Sequence, residues 1–519
     1  MPKRKRKEKS ASNILGKKIS RRDALSTAGK IAITAVVAGV AAGVAGYLAR
    51  APAVKTVVKT VTKPPTTVVT PTTVTSPTTV VSPTTVVSPT TVTTVAPTTP
   101  AAPATVSIMG GAWMKPVYWD WVVKEGNKLL KEKFPERSPS VNFIPIPSGD
   151  ELRKKLLLTA AAGKAPDIGH IDCIWVGEFA EGGYLMDLTD RVEKEMDVDD
   201  FYPRIWEGFA IHKDRVWALP LDTDVRLFYW WKEDFEKAGI DKPPETWDEL
   251  IDCAFKLVDK GVCKPPERYP LLICLGASYA EFVANEWYIR LWQKGGELLK
   301  DRKPVFNDKA GYEALKFTYD LCREEVSVGG KRFPLIPVDF LMSTPEFDKD
   351  FIHHKFSMVF CAGGWLIRIA ESELGWGIKE FEKNLGAAPH PRPKDGQFAT
   401  MSGGWTGGIM AQTKHPDMAW EILKLMASTD GCGTYAKRGY IAVRKSSYEK
   451  YKDFYKTKLP YYDLQVEQLK WTHLRPSIPE YTRMREVFVK MVQSVALGTD
   501  PKAALDEAYE KVCLILGAK

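Results

Sequence analysis

A chain of 519 residues that is 44% hydrophobic can bury a large core and exceeds the usual size of one domain, so two lobes are expected. Its formal charge of +9 is misleading: residues 1–105 carry 15 Lys and Arg against two acids, Glu8 and Asp23, which leaves 58 basic and 62 acidic side chains, a net −4, over residues 106–519. That mildly acidic body lacks the single-sign excess with which nucleic-acid binders neutralise phosphates, and no nucleic-acid partner is expected.

The chain opens on a basic head, MPKRKRKEKS, followed by SRRDALS and an uncharged run, Ile31 to Ala49 (IAITAVVAGVAAGVAGYLA). At 1.5 Å rise per residue that run spans roughly 28 Å, close to the hydrocarbon core of a bilayer. Residues 1–50 are therefore expected to be an export signal and membrane-anchor helix. The basic flank would stay in the cytoplasm, and no Cys follows the run to carry a lipid. Arg21 and Arg22 resemble a twin-arginine export signal, although Ala24 stands where that pattern usually has an aromatic or large apolar residue. Residues 51–104 are of low complexity, with SPTTVV recurring every six residues and Pro71, Pro77, Pro83 and Pro89 in register. Such a segment lacks the large side chains that offset ordering entropy, so it is expected to be a disordered, extended stalk on the order of 100 Å long. Its Thr and Ser hydroxyls could also accept O-linked sugars.

From Thr105 the pattern alternates short apolar strands with helices. VSIMGG reads as a strand running into glycines, Asp120 to Phe134 as a helix, VNFIPIP as a strand, and Gly149 to Ala162 as an amphipathic helix. This is the rhythm of an α/β sheet covered on both faces, a fold in which ligands sit at the carboxyl ends of strands. The acids and tryptophans fall at such ends. Asp172 and Trp175 follow the strand PDIGHI, Asp222 and Asp224 stand in WALPLDTD, Trp365 follows SMVFCAGG, and Trp405 sits in SGGWTGGIM, expected as a glycine-flanked loop. Each has a plainer structural reading. Asp222 would cap a turn after Pro220, Asp224 would pair with Arg226, and the tryptophans would pack in the core, as expected for Trp230, Trp231, Trp247 and Trp420 in their apolar or helical patterns. The eight cysteines form no CxxC pair and His353 and His354 are adjacent, so no metal or other cofactor is expected. Outside the cytoplasm an even count permits disulfides, and Cys253 with Cys263 would close a short loop.

APDIGHIDCIWVGEFAEGGYLMDLTD, VWALPLDTDVRLFYWWKEDFEKAGIDKPPETWDELIDCAFKL, FIHHKFSMVFCAGGW, LGAAPHPRPKDGQFATMSGGWTGGIM and KHPDMAWEILKLMASTDGCGTYAKRGYIAVRKS resemble successive blocks of the family 1 extracellular solute-binding proteins of ABC importers, the maltose and trehalose-binding group. The likeness runs along nearly all of residues 105–519, and the leader and stalk resemble those of archaeal, membrane-anchored members. The resemblance implies a two-lobe type II periplasmic-binding-protein fold with a hinge: lobe 1 at about 105–221 and 377–428, lobe 2 at about 222–376 and 429–519. It also implies a monomer outside the cytoplasmic membrane that delivers solute to an ABC permease and is not an enzyme. Carried over by position, Asp172 and Asp224 would accept hydrogen bonds from sugar hydroxyls, Trp365 and Trp405 would stack on sugar faces, and Arg475 in HLRPSIPEY would donate to ring or hydroxyl oxygens. Trp113 and Trp119 could line the same cleft, although the first loop, GGAWMKPVYWDW, offers no acid before Asp120. This agrees with the chemistry of a pyranose, whose rim of hydroxyls asks for charged acceptors and whose C–H faces ask for flat aromatics. Asp222 and Asp224, two apart, would share one face of a strand.

Other readings stay open. A secreted glycoside hydrolase also places acids and aromatics in a cleft. A binder of another solute, such as ferric iron, a peptide or a polyamine, is the third class. Iron would need a Tyr, His and carboxylate cluster, for which Tyr461 and Tyr462 are the only hint. A polyamine would need several acids boxed by aromatics, which this sequence could supply.

Overall fold

In the computed structural model, residues 103–276, 280–344 and 346–518 are described; the expected anchor at 31–49 and the stalk lie outside the described residues. Strand Thr105–Gly111 lies second in the sheet of the first lobe, flanked in parallel by Ser140–Ile146 and Ile168–Asp172. Trp405–Ile409 then pairs antiparallel with Ile168–Asp172, and Leu219–Pro220 closes a five-stranded sheet. Alternation along the strands sends successive side chains to opposite faces. Val106 and Ile108 join a core with Trp119, Val122 and Leu130 of helix Tyr118–Lys133, while Met109 and Ile171 pack with Leu152, Leu156 and Ala160 of helix Gly149–Ala161. The expected βαβα order is thus observed, with helix ends displaced by one or two residues. Ser148 caps the second helix by accepting from the Glu151 N–H at 3.4 Å.

The second lobe has a four-stranded sheet in the order Leu385–Ala388, Leu227–Trp231, Phe356–Ala362, Tyr269–Leu272. Phe356–Ala362 is buried along its whole length, as its near-continuous apolar sequence requires of a strand covered on both faces. Helix Trp247–Asp259 beside it begins with a capping box in which Thr246 and Glu249 satisfy each other's backbone N–H groups. Trp231, Trp247 and Trp420 are buried, as expected of core tryptophans.

A third sheet, in the order Thr472–Leu474, Thr400–Gly403, Asp224–Val225, holds the segments that pass between the lobes. On its first crossing the chain passes from Leu219–Pro220 in the first sheet to Asp224–Val225 in the third. Leu385–Ala388 pairs with Leu227–Trp231 in the second sheet, so the chain re-enters lobe 1 through 400–405 rather than near 377. Likewise helix Thr429–Ala436 belongs with lobe 1: its Tyr435 joins the first-lobe core and bonds His170. Cys253 and Cys263 are both free thiols, and Cys263 lies 3.0 Å from the Ser357 hydroxyl. Among the described residues no helix is long and apolar enough to cross a membrane.

Candidate functional site

Two glycines let the crossing segments approach. A Cβ on Gly403 would lie 2.6 Å from the Arg475 guanidinium, and one on Gly404 would lie 2.3 Å from the Asp222 carbonyl oxygen. Into this contact the two aspartates of the first crossing turn the same way. Asp222 Oδ1 accepts from the Trp405 N–H at 2.7 Å, and Asp224 Oδ1 accepts from the Gly403 N–H at 3.2 Å. The Thr223 hydroxyl between them bonds the Gly403 carbonyl at 2.8 Å. Asp222 is fully buried, and its Oδ2 has no hydrogen-bond partner. Burial pushes its carboxyl well above the usual carboxylate range, and the nearby Asp224 and Asp172 charges add to this. The hydrogen bond from the Trp405 N–H opposes that shift, and it fixes the backbone of Trp405 against the first crossing segment.

Trp405 opens a strand rather than standing in a loop, and its ring is the centre of an aromatic group. It stacks on His170 with ring centroids 4.4 Å apart and 22° between planes, tilts against Trp113 at 5.0 Å, and meets Trp175 edge-on at 5.5 Å. Trp113 and Trp405 are half-buried, whereas Trp175 is buried. His170 is fully enclosed, with the Gly111 N–H 3.4 Å from Nδ1 and the Tyr435 hydroxyl 3.0 Å from Nε2. Burial lowers its pKa to about 3, so the surface beneath Trp405 is an uncharged imidazole. Trp119 takes no part in a cleft. It is fully buried, donates to the Gly111 carbonyl at 2.8 Å and stacks on Phe143, because the helix that begins at Tyr118 carries it into the lobe 1 core.

Asp172 is in register with Trp405 across the sheet and binds the other lobe through Arg475. Arg475 Nη2 lies 3.4 Å from Asp172 Oδ1, and its Nη1 donates to Glu281 Oε1 at 2.7 Å. Burial pushes Asp172 above the usual carboxylate range, and nearby Glu281 adds to it against the pull of Arg475. Burial also acts to raise Glu281, but Arg475 and Arg485 outweigh it and hold that carboxyl below its ordinary value. On the lobe 2 side Arg226 Nη1 sits 2.7 Å from Asp224 Oδ1. Its guanidinium carbon lies 4.5 Å from the Trp365 ring centroid and 5.1 Å from that of Phe282. Trp365 is 6% exposed, donates its indole N–H to Asp348 at 3.1 Å, and folds over Gly363. One face of Trp365 is thus covered by Arg226, which leaves little room for the direct sugar stacking expected of it.

One cluster among the described residues has metal-ligating chemistry: Glu233, Asp234 and His354. Both ring nitrogens of His354 already face carboxylates, at 2.7 and 3.6 Å, and Arg268 lies 3.0 Å from Asp234. A guanidinium in that position satisfies the carboxylate and opposes a cation, so the cluster is an ion-paired network.

Residues 131–459 match the family described as bacterial extracellular solute-binding protein. The chain belongs to that family. A binding protein of Brucella abortus is 25% identical over 405 residues, covering 75% of this chain and 89% of that one. The maltotriose-binding protein of Pyrococcus abyssi is 26% identical over 194 residues, 37% of this chain and 38% of that one. Among solved structures, an ABC transporter solute-binding protein of Thermotoga lettingae bound with α-D-tagatose superposes with a TM-score of 0.65 at 26% identity, covering 80% of this chain and 100% of that one. The fold of this solute-binding protein is accordingly the two-lobe one.

Seven of the residues singled out in the sequence of this solute-binding protein, Asp172, Asp222, Asp224, Trp113, Trp175, Trp405 and Arg475, form one connected group, and Trp365 joins it through Arg226. Sequence reasoning gave Arg226 only a structural pairing with Asp224, which is present, and missed Glu281 altogether. Glu281 sits in AEFVANEWYIR, where it reads like any acid on the first turn of a helix, and no local signal marks it.

Proposed function

We propose that this protein is the sugar-binding component of an ABC importer, holding a di- or oligosaccharide between its two lobes and delivering it to the permease. The observation that carries this reading is the meeting, at the crossing segments, of the half-buried Trp113–Trp405 surface with carboxylates and guanidiniums from both lobes. Trp405 and Trp113 would take the C–H face of a sugar. Asp172 and Asp224 would accept from its hydroxyls, and Arg475 and Arg226 would donate to its oxygens. A polyamine fits less well, because the acids around this surface are already matched by Arg226 and Arg475, and a cationic solute would meet those guanidiniums. The α-D-tagatose bound to the Thermotoga protein and the maltotriose for which the Pyrococcus protein is named support the same class of solute. Ile31 to Ala49 would hold this monomer on the outer face of the membrane.

A calorimetric titration of the full chain against mono-, di- and oligosaccharides, with tryptophan fluorescence read in parallel, tests the proposal. Saturable binding of one oligosaccharide series, with the sugar recovered intact, is expected. Cleavage of the sugar would point to a hydrolase, and binding of a polyamine without any sugar would replace the solute class.

A further inference from the structure

Charged side chains on the two lobes form a ladder that runs past the aromatic surface. In lobe 2, Glu281 on helix Ala280–Gln293 receives the Tyr481 hydroxyl at 2.6 Å and Arg475 Nη1 at 2.7 Å, and Arg485 Nη1 lies 3.4 Å away. The two arginines reach from this shared acid to lobe 1. Arg475 Nη2 is 3.4 Å from Asp172 at the end of strand Ile168–Asp172, and Arg485 Nη1 is 3.4 Å from Asp150 in the first turn of helix Gly149–Ala161. Arg485 sits on helix Tyr481–Leu497, which packs on Ala280–Gln293, so Glu281 and Arg485 move as one body. The ladder is graded in exposure: the side chain of Arg475 is 4% exposed, that of Arg485 11%, and that of Asp150 57%.

The arrangement is asymmetric. If the lobes part, both arginines keep Glu281, and only the lobe 1 carboxylates lose their partners. Closure therefore adds two cross-lobe ion pairs to arginines already set in place, with little further loss of side-chain freedom. We propose that Arg485, held by Glu281 and paired with Asp150, is a positioning residue that biases the lobes towards closure without touching the solute. The inference rests on solute binding between the lobes. Because a bias of this kind is added to every closed complex alike, it multiplies the affinity for each solute by one common factor. A residue that contacts the solute instead changes affinities unequally, since sugars differ in the groups they present.

The test uses the full chain with spin labels at the exposed positions Lys164 in lobe 1 and Lys331 in lobe 2, introduced through a non-natural amino acid because eight native thiols are present. Interlabel distances are measured without sugar in the parent protein, in Arg485→Met, and in Asp150→Asn, which alters only a surface partner. The short-distance population is expected to fall in both variants, and in the parent protein to fall as NaCl rises from about 0.02 to about 0.5 M, since screening weakens such pairs. Affinities for the sugars that bind the parent protein are expected to drop about two- to fivefold in Arg485→Met, by the same factor for each. Unchanged distances in both variants, or a loss that differs between sugars by more than about threefold, would overturn the proposal. Should no sugar bind the parent protein, the sugar reading fails while the distance measurements still decide the ladder.

Discussion

Trp405 and Trp365 each follow two glycines, yet their surroundings call for opposite responses to truncation. Trp365 is 6% exposed, and Trp→Ala at a buried site typically costs about 3–5 kcal/mol of stability. Two further losses add to this. Asp348 Oδ2 loses the donor at 3.1 Å, a burial penalty of about 1–3 kcal/mol, and Arg226 loses a π-face worth about 0.5–2 kcal/mol. Trp365→Ala should therefore destabilise the sugar-free protein by at least about 4 kcal/mol, with any loss of affinity passing through a displaced Arg226. Trp405 is half-buried, and its backbone anchor to Asp222 survives truncation. Its ring contacts with His170, Trp113 and Trp175 are worth roughly 1–3 kcal/mol together once non-additivity is allowed for. A sugar stacked on the open side would lose a comparable amount, about 5- to 150-fold in affinity. Denaturant unfolding without sugar and calorimetric titration with it separate the two effects in both variants. If Trp365→Ala kept its stability but lost affinity, and Trp405→Ala did the reverse, the division of roles drawn from their contacts would be wrong.

Asp224→Asn should weaken sugar binding by about 1.5–3 kcal/mol by calorimetric titration and also lower unfolding stability, because Arg226 loses a buried charged partner; adding Arg226→Met should restore the stability and leave the affinity low. Burial raises the Asp348 pKa to about 6 against the pull of the Trp365 N–H and Arg226, so the folded state holds that proton more tightly than the unfolded chain. Its stabilising effect is full below about pH 4 and lost as pH rises through about 6, on the order of 3 kcal/mol, and unfolding curves of Asp348→Asn should lack that decline. Residues 1–50 predict that the full chain fractionates with membranes while a chain starting at Thr105 does not, as read by immunoblot; a native N terminus beyond Ala49 would contradict the anchor.

The parts of this molecule legible in its sequence are those set by local periodicity. Period-two alternation in VSIMGG and VNFIPIP, and helical spacing in residues 149–162, locate lobe 1, and the acids at strand ends follow because such a fold exposes its loops there. The return crossing was not legible: LGAA is a short apolar run that suits a strand of either sheet, and only its pairing with Leu227–Trp231 assigns it to lobe 2. The two Gly-Gly-Trp segments show the same limit within the site. Gly363 and Gly364 lead into helix Leu366–Leu374, so the Trp365 ring turns back over Gly363 and into the lobe, whereas Gly403 and Gly404 lead into strand Trp405–Ile409, which leaves its first ring half-exposed beside Trp113. What distinguishes them is the element that follows each pair, together with Arg226 arriving from 139 residues earlier to cover one ring. Glu281 is the extreme case. Its value comes wholly from Arg475, Tyr481 and Arg485, roughly 200 residues away in the chain, so no window around it could reveal that one carboxylate holds both arginines that reach across to the other lobe.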